Sequence, residues 1–215
     1  DLRQKALFAI FYAILFIAIY ISGRFELKWL MSIVLAVSLA LVVTIASGFG
    51  MSVTWLIFIA MIVTLGLCWF LKLKYALGAI VALIHDVLIT IGAFALTNTE
   101  ISLSIIAAIL TIVGYSLNDT IIVFDRIREN LRRFRRRPFE EVMNASINET
   151  LSRTILTSTT TLVVVLALYL LGGSVIHDFA FAILIGIIVG TYSSVFVASP
   201  VLLIWESTIA NKGKG

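Results

Sequence analysis

Long stretches without charge decide what this chain can fold into. Residues 29–71 contain no Asp, Glu, Lys, Arg or His, and neither do residues 154–176. Over all 215 residues, 61% are hydrophobic and only 13% are charged, about half the charged fraction of an ordinary soluble domain. Apolar runs of about twenty residues are long enough to cross the ~30 Å hydrocarbon core of a bilayer as helices. In that medium every backbone N–H and C=O must find its partner within the protein, which leaves helices or a closed barrel. The ten-residue alternating segments of a barrel are absent from the sequence. The expected fold is therefore an all-α, polytopic integral membrane protein, with residues 1–215 forming a single transmembrane domain.

Seven spans are expected, at about 6–23, 30–47, 53–71, 76–97, 102–124, 154–172 and 178–206. The net charge of +4 is unevenly placed. With the N-terminus outside, the inner connections hold Arg24, Lys28, Lys72, Lys74, the Arg126–Arg137 cluster, Arg153, Lys212 and Lys214, and the outer ones hold only Arg3 and Lys5. That asymmetry predicts an N-out, C-in orientation and accounts for the basic charge without a nucleic acid partner. Trp29, Trp55, Trp69 and Trp205 fall near span ends, the depth of an interfacial aromatic belt. Residues 125–152 form the one sizeable loop, expected inside as a basic and amphipathic segment. In it the fifth helix continues past the membrane, and a short helix with Pro138 in its first turn, Glu140 and Glu141 at its positive end, and a Phe139, Val142, Met143, Ile147 stripe is expected along the inner interface. The sequons at Asn144 and Asn148 lie on that inner side and are discounted. The single cysteine, Cys68, rules out an intrachain disulfide and a cysteine-based metal site. His85 stands without a second cluster of ligand types, so neither a metal nor another cofactor is expected.

Against this apolar background a few polar residues stand out. Asp119 lies in the inner half of the fifth span, flanked by Asn118 and Thr120. A carboxylate in hydrocarbon costs about 3 kcal/mol or more, so it is kept for a partner, a water path or a task. Arg153 opens the sixth span, and the antiparallel arrangement puts it within about 5–10 Å of the depth of Asp119. Asp119 reads either as half of a structural ion pair or as a proton or ion relay, and Arg153 either as its partner or as a snorkelling, lipid-facing side chain. Asp86, at the centre of the fourth span, either accepts hydrogen bonds from a neighbouring helix or titrates. Its neighbour His85 points in a different direction on a helix and need not interact with it. Asp119, Arg153, Asp86, Asn118 and Thr120 are the candidate proton-pathway residues. Thr157, Ser158, Thr159, Thr160 and Thr161 add a run of hydroxyls above Arg153, able to carry water or to bond across helices. Gly186 and Gly190 form a GxxxG, followed by Ser193 and Ser194, and with Gly114 they are the candidate helix-packing positions. Asp178 is expected to serve the positive end of the last helix.

Four segments carry a resemblance: Ala76–Val87, Gly114–Asn130 (Gly-Tyr-Ser-Leu-Asn-Asp-Thr-Ile-Ile-Val-Phe-Asp-Arg-Ile-Arg-Glu-Asn), Thr150–Ser158 and Gly186–Ser194. Together they closely resemble the SecF family of bacterial protein export, itself related to the RND transporter superfamily. The resemblance runs almost continuously over 76–207, and residues 5–28 resemble that family's second helix. It implies an RND-transporter-like bundle in the bacterial inner membrane. Its implied activity is promotion of polypeptide translocation by the proton motive force, beside SecD and the SecYEG channel and with YajC as a further partner. It also implies that the carboxylate of the Asn-Asp-Thr motif and the arginine opening the next helix, here Asp119 and Arg153, belong to the proton pathway. The family's first helix and periplasmic domain are not found, so the chain reads as a fragment or a truncated form, and residues 30–71 read as an additional hairpin facing lipid or a partner. An RND-like proton-coupled exporter of small molecules or lipids is the alternative. An intramembrane aspartyl protease using Asp86 and Asp119 fits poorly, because Ser-Leu-Asn precedes Asp119 in place of a Gly-x-Gly motif, and no enzyme activity is expected.

Overall fold

The computed structural model describes the backbone of residues 2–26, 29–48, 53–100 and 102–212. Lys28, Phe49, Gly50, Lys214 and the side chains of Arg3, Lys5, Trp29 and Lys212, on which the expected topology partly rests, lie outside the described residues. The protein is an all-α membrane protein. Its helices are α1 (Leu2–Glu26), α2 (Trp29–Gly48), α3 (Val53–Phe70), α4 (Lys74–Leu96), α5 (Leu103–Arg133), α6 (Phe139–Leu171), α7 (Ser174–Ser193) and α8 (Ser199–Lys212). A π-helical turn, Ser194–Ala198, joins the last two. Among the described residues, four helical stretches are long and apolar enough to cross a membrane: Lys74–Leu96, Leu103–Arg133, Phe139–Leu171 and Ser174–Thr208. Shorter apolar stretches cover Tyr12–Phe25 and Phe58–Phe70.

The chain divides into two compact units, residues 1–80 and 81–215, with the boundary inside α4. In the first unit α1, α2 and α3 pack on one another, so the described neighbours of the 30–71 hairpin include α1. Phe25 stacks on Tyr75 there, with ring centroids 5.3 Å apart. In the second unit α5, α6 and α7 form a mutually packed group. The buried positions of α5 include Ile105, Ile109, Ile112, Ser116, Asp119, Val123, Ile127 and Asn130. Their three- and four-residue spacing keeps them on one face of the helix. Ser102 caps α5 by accepting the Ile105 N–H at 3.3 Å.

Lipid tails are as apolar as leucine, so close packing and interhelical hydrogen bonds drive association here. Gly186 and Gly190 on α7 lie directly against α5. A Cβ at Gly190 would stand 2.9 Å from the Ser116 Cβ, and one at Gly186 would collide with the Ile112 side chain. Gly114 sits on an exposed face where a Cβ would meet nothing within 4 Å, so it is not a point of contact between described helices.

Three expected features take a different form. Residues 125–152 are helical extensions of α5 and α6 joined by the short link 134–138, and the helix beginning at Phe139 continues into the membrane as α6. The polar Asn144–Asn148 stretch does not interrupt that helix; Asn144 and Asn148 are exposed on it and Ser146 is buried. The α7 helix begins at Ser174, where Gly173 adopts φ +72, a conformation favoured by glycine. Asp178 therefore lies beyond the first turn and contacts His177 at 3.2 Å. Third, the last helix is interrupted. Pro200 has no N–H and its ring opposes the preceding turn. The wider π turn just before it accommodates that break, and Ser199 Oγ donates to Ser194 O at 3.1 Å.

Candidate functional site

The two intramembrane carboxylates are buried, with Asp86 1% and Asp119 2% exposed. Each is held by hydroxyls from other helices. Asp86 Oδ2 accepts Ser116 Oγ of α5 at 2.5 Å and Ser193 Oγ of α7 at 2.8 Å. Its other oxygen lies 3.0 Å from His85 Nδ1. The His85 ring thus does not point away but folds back along the helix to the neighbouring carboxylate, a reach that Cβ directions alone do not reveal. The close approach of α7 to α5 at Gly190 is what places Ser116 and Ser193 on one carboxylate. Ser193 also has Gly190 O within reach at 3.2 Å. The π turn starts at the next residue, Ser194, whose Oγ donates to Thr191 O at 3.0 Å.

Asp119 has a separate set of partners. Ser158 Oγ of α6 donates to Asp119 Oδ2 at 3.4 Å, and Thr191 Oγ1 of α7 donates to Ser158 Oγ at 2.7 Å. A three-member polar chain thus runs from α7 through α6 to α5. Arg153 is exposed and forms no direct ion pair with Asp119 among the described residues. Ser158 lies five residues further along α6, and it fills the contact that the sequence offered to the arginine. Of the flanking residues, Thr120 is buried and donates to Ser116 O of its own helix at 3.3 Å, whereas Asn118 is exposed. From the hydroxyl run, Thr161 accepts a hydrogen bond from Tyr115 at 3.2 Å. Thr157, Thr160 and Thr161 also donate to carbonyls of α6 itself.

At the arginine-rich end, α5 and α6 are clasped by a second polar group. Arg126 pairs with Glu149 across the hairpin and with Glu129 on its own helix at 2.7 Å. Asn130 Nδ2 lies 3.0 Å from both Ser146 Oγ and Glu149 Oε2. The hydrogen bond from Asn130, followed by that from Arg126, holds the Glu149 carboxyl below its usual range. Hydrogen bonds to Glu129 and then Glu149 raise Arg126 above its own. Among the described residues no group of three or more metal-ligating side chains occurs. The sequence does not single out Ser116 and Ser193 as partners of Asp86, or Thr191 as the donor to Ser158. Ser193 stands three residues after Gly190 and Thr191 directly beside it, a placement that many packing positions share, and Ser116 carries no such signal.

Comparison with known proteins places this architecture. The family described as protein export membrane protein SecD/SecF, C-terminal, matches residues 49–208. That range begins inside the 30–71 hairpin and takes in α3. The protein translocase subunit SecF of Rhodothermus marinus is 60% identical over 136 residues, covering 60% of this chain and 44% of the relative. Its counterpart from Koribacter versatilis is 53% identical over 146 residues, covering 67% and 36%. The chain thus spans less than half the length of these relatives. A crystal structure of SecDF in a super-membrane-facing form superposes with a TM-score of 0.65 at 45% identity, covering 75% of this chain and 22% of that one. The SecDF of Thermus thermophilus, described as a translocon-associated membrane protein, gives 0.61 at 50% identity, covering 69% and 21%. With three quarters of its length matched by the family and the same helical fold as its solved members, the chain belongs to the SecD/SecF family of protein export membrane proteins.

Proposed function

We propose that this chain serves Sec-dependent protein export in the bacterial inner membrane and that it draws on the proton motive force through Asp119 and Asp86. Family membership and the relatives named as translocase subunits support the export role. SecD, the SecYEG channel and YajC are the partners this reading implies, with the translocating polypeptide as cargo and lipid around it. One observation carries the proton coupling. Both carboxylates are buried within apolar helices, are held by hydroxyls from neighbouring helices, and are paired with no lysine or arginine among the described residues. A buried acid without a fixed cation can bind and release a proton with little penalty for the neutral form. Hydroxyls suit both states, because each donates to the carboxylate and accepts from the carboxylic acid. This reading is preferred to an aspartyl protease, which needs two carboxyls sharing one proton, because Asp86 and Asp119 have different hydroxyl partners and share none.

The test is export in inverted membrane vesicles holding the full-length protein and its SecD partner. Asp119→Asn preserves shape and removes the titrating group. Loss of the gradient-dependent part of export, with the gradient-independent part intact, is expected. A variant that responds to the gradient as the native protein does overturns the coupling.

A further inference from the structure

Along α6, Ser146, Thr150, Thr154 and Ser158 recur every fourth residue, and all four are buried. Residues at that spacing stand one above another on a helix, so these hydroxyls form a column about 18 Å long. Both ends of the column face α5. Ser158 donates to Asp119, and Ser146 accepts from Asn130. Thr150 and Thr154 lie between them on the same face. At its lower end the column meets Asn130, Glu149 and Arg126 at the arginine-rich side of the membrane. Two polar atoms along this route are buried and have no hydrogen-bond partner among the described residues, Thr154 Oγ1 and Asn130 Oδ1. Thr150, Thr157, Thr160 and Thr161 of α6 satisfy themselves on a carbonyl one turn back, as Thr150 does on Ser146 O at 3.0 Å. A buried polar atom left unpaired is costly, and these two, a hydroxyl on α6 and an amide oxygen on α5, mark where water belongs.

We infer that the hydroxyl column of α6 is the inner proton path, joining Asp119 to the arginine-rich surface through waters held at Thr154 and Asn130. This deepens the proton-coupled reading of Asp119 and rests on it. The chemistry is a hop in which nothing is consumed. Protonated Asp119 gives its proton to a water beside Ser158. Each hydroxyl or water then accepts one proton and donates another, and a proton leaves at the Glu149 end. Steps of about 6 Å between successive hydroxyls are too long for direct transfer and suited to one bridging water. Thr154 is a positioning residue here, since it holds the water and does not itself titrate.

The full-length protein with its partner, in vesicles carrying a pH-sensitive dye, reports proton flux at an imposed potential. Asp119→Asn is the reference for complete loss. Thr154→Val, nearly isosteric but without a hydroxyl, is expected to slow flux at least about tenfold, and Thr154→Ser to restore it. Flux lost in Asp119→Asn but untouched in Thr154→Val overturns the path and spares the coupling. Flux untouched in both overturns the coupling itself. If Thr154→Val does not fold, Thr154→Cys in a complex whose other cysteines, Cys68 included, are replaced by alanine takes its place. A charged methanethiosulfonate added from the arginine-rich side is expected to modify that thiol, and a thiol that stays unmodified overturns the path.

Discussion

Asp86 illustrates how much one side chain can organise. Its carboxylate gathers Ser116 and Ser193 from two other helices and His85 from its own. Alanine at this position would leave Ser116 without its carboxylate while Ser193 falls back on Gly190 O, and would open a cavity. The expected cost is about 1–3 kcal/mol, read as a lower unfolding temperature in detergent. Asparagine keeps an acceptor and is expected to lose less. Equal losses for both would mean that the negative charge, and not hydrogen-bond acceptance, holds the three helices. Asp119 is legible as an anomaly from its position alone, because a carboxylate among Ile, Val and Leu has few explanations. Its partner is not. Arginine at matching depth is the natural expectation, yet Ser158 makes the contact, since the rotation of α6 about its axis chooses which residue faces α5.

At the scale of the element, the α5–α7 contact depends on two glycines. Gly190→Ala would press on the Ser116 Cβ and Gly186→Ala on Ile112. Each is expected to cost about 1–3 kcal/mol from overpacking, and Gly190→Ala should also disturb the Asp86 cluster. Gly114→Ala meets open space, so a change within about 1 kcal/mol, in the stabilising direction, follows from helix propensity. Thermal unfolding of the three variants distinguishes them. The α5–α6 clasp has a pH signature. Glu149 is held below its usual value of 4.5, so its contribution is full above that value and fades as pH falls through the lower folded value. Hydrogen exchange at residues 126–150 is expected to quicken only below about pH 4.5, and Glu149→Gln to abolish that dependence. The helices are readable from apolar runs, and their ends are less so. The polar 144–150 stretch hides the start of a 33-residue α6, because a helix extending beyond the membrane needs no apolar pattern once a second helix covers one side.

On the scale of the whole molecule, the hydrogen-bond partners that hold Asp86 and Asp119 all lie within residues 81–215 among the described residues. Removal of residues 30–71 is therefore expected to preserve the dependence of proton flux on Asp119. Loss of that dependence would mean that the hairpin supports the carboxylates from a distance. The sequence by itself determined that this is a helical membrane protein, roughly where its helices run, and which carboxylates are anomalous. Those conclusions follow from the cost of exposing backbone and charge to hydrocarbon, a cost that acts on each residue wherever its neighbours are. Only the tertiary structure decided that Ser116 and Ser193 hold Asp86, that Ser158 and Thr191 serve Asp119, and that the buried hydroxyls of α6 align into one column. Those depend on helix rotation and on glycine-permitted approach, which emerge only when the helices pack.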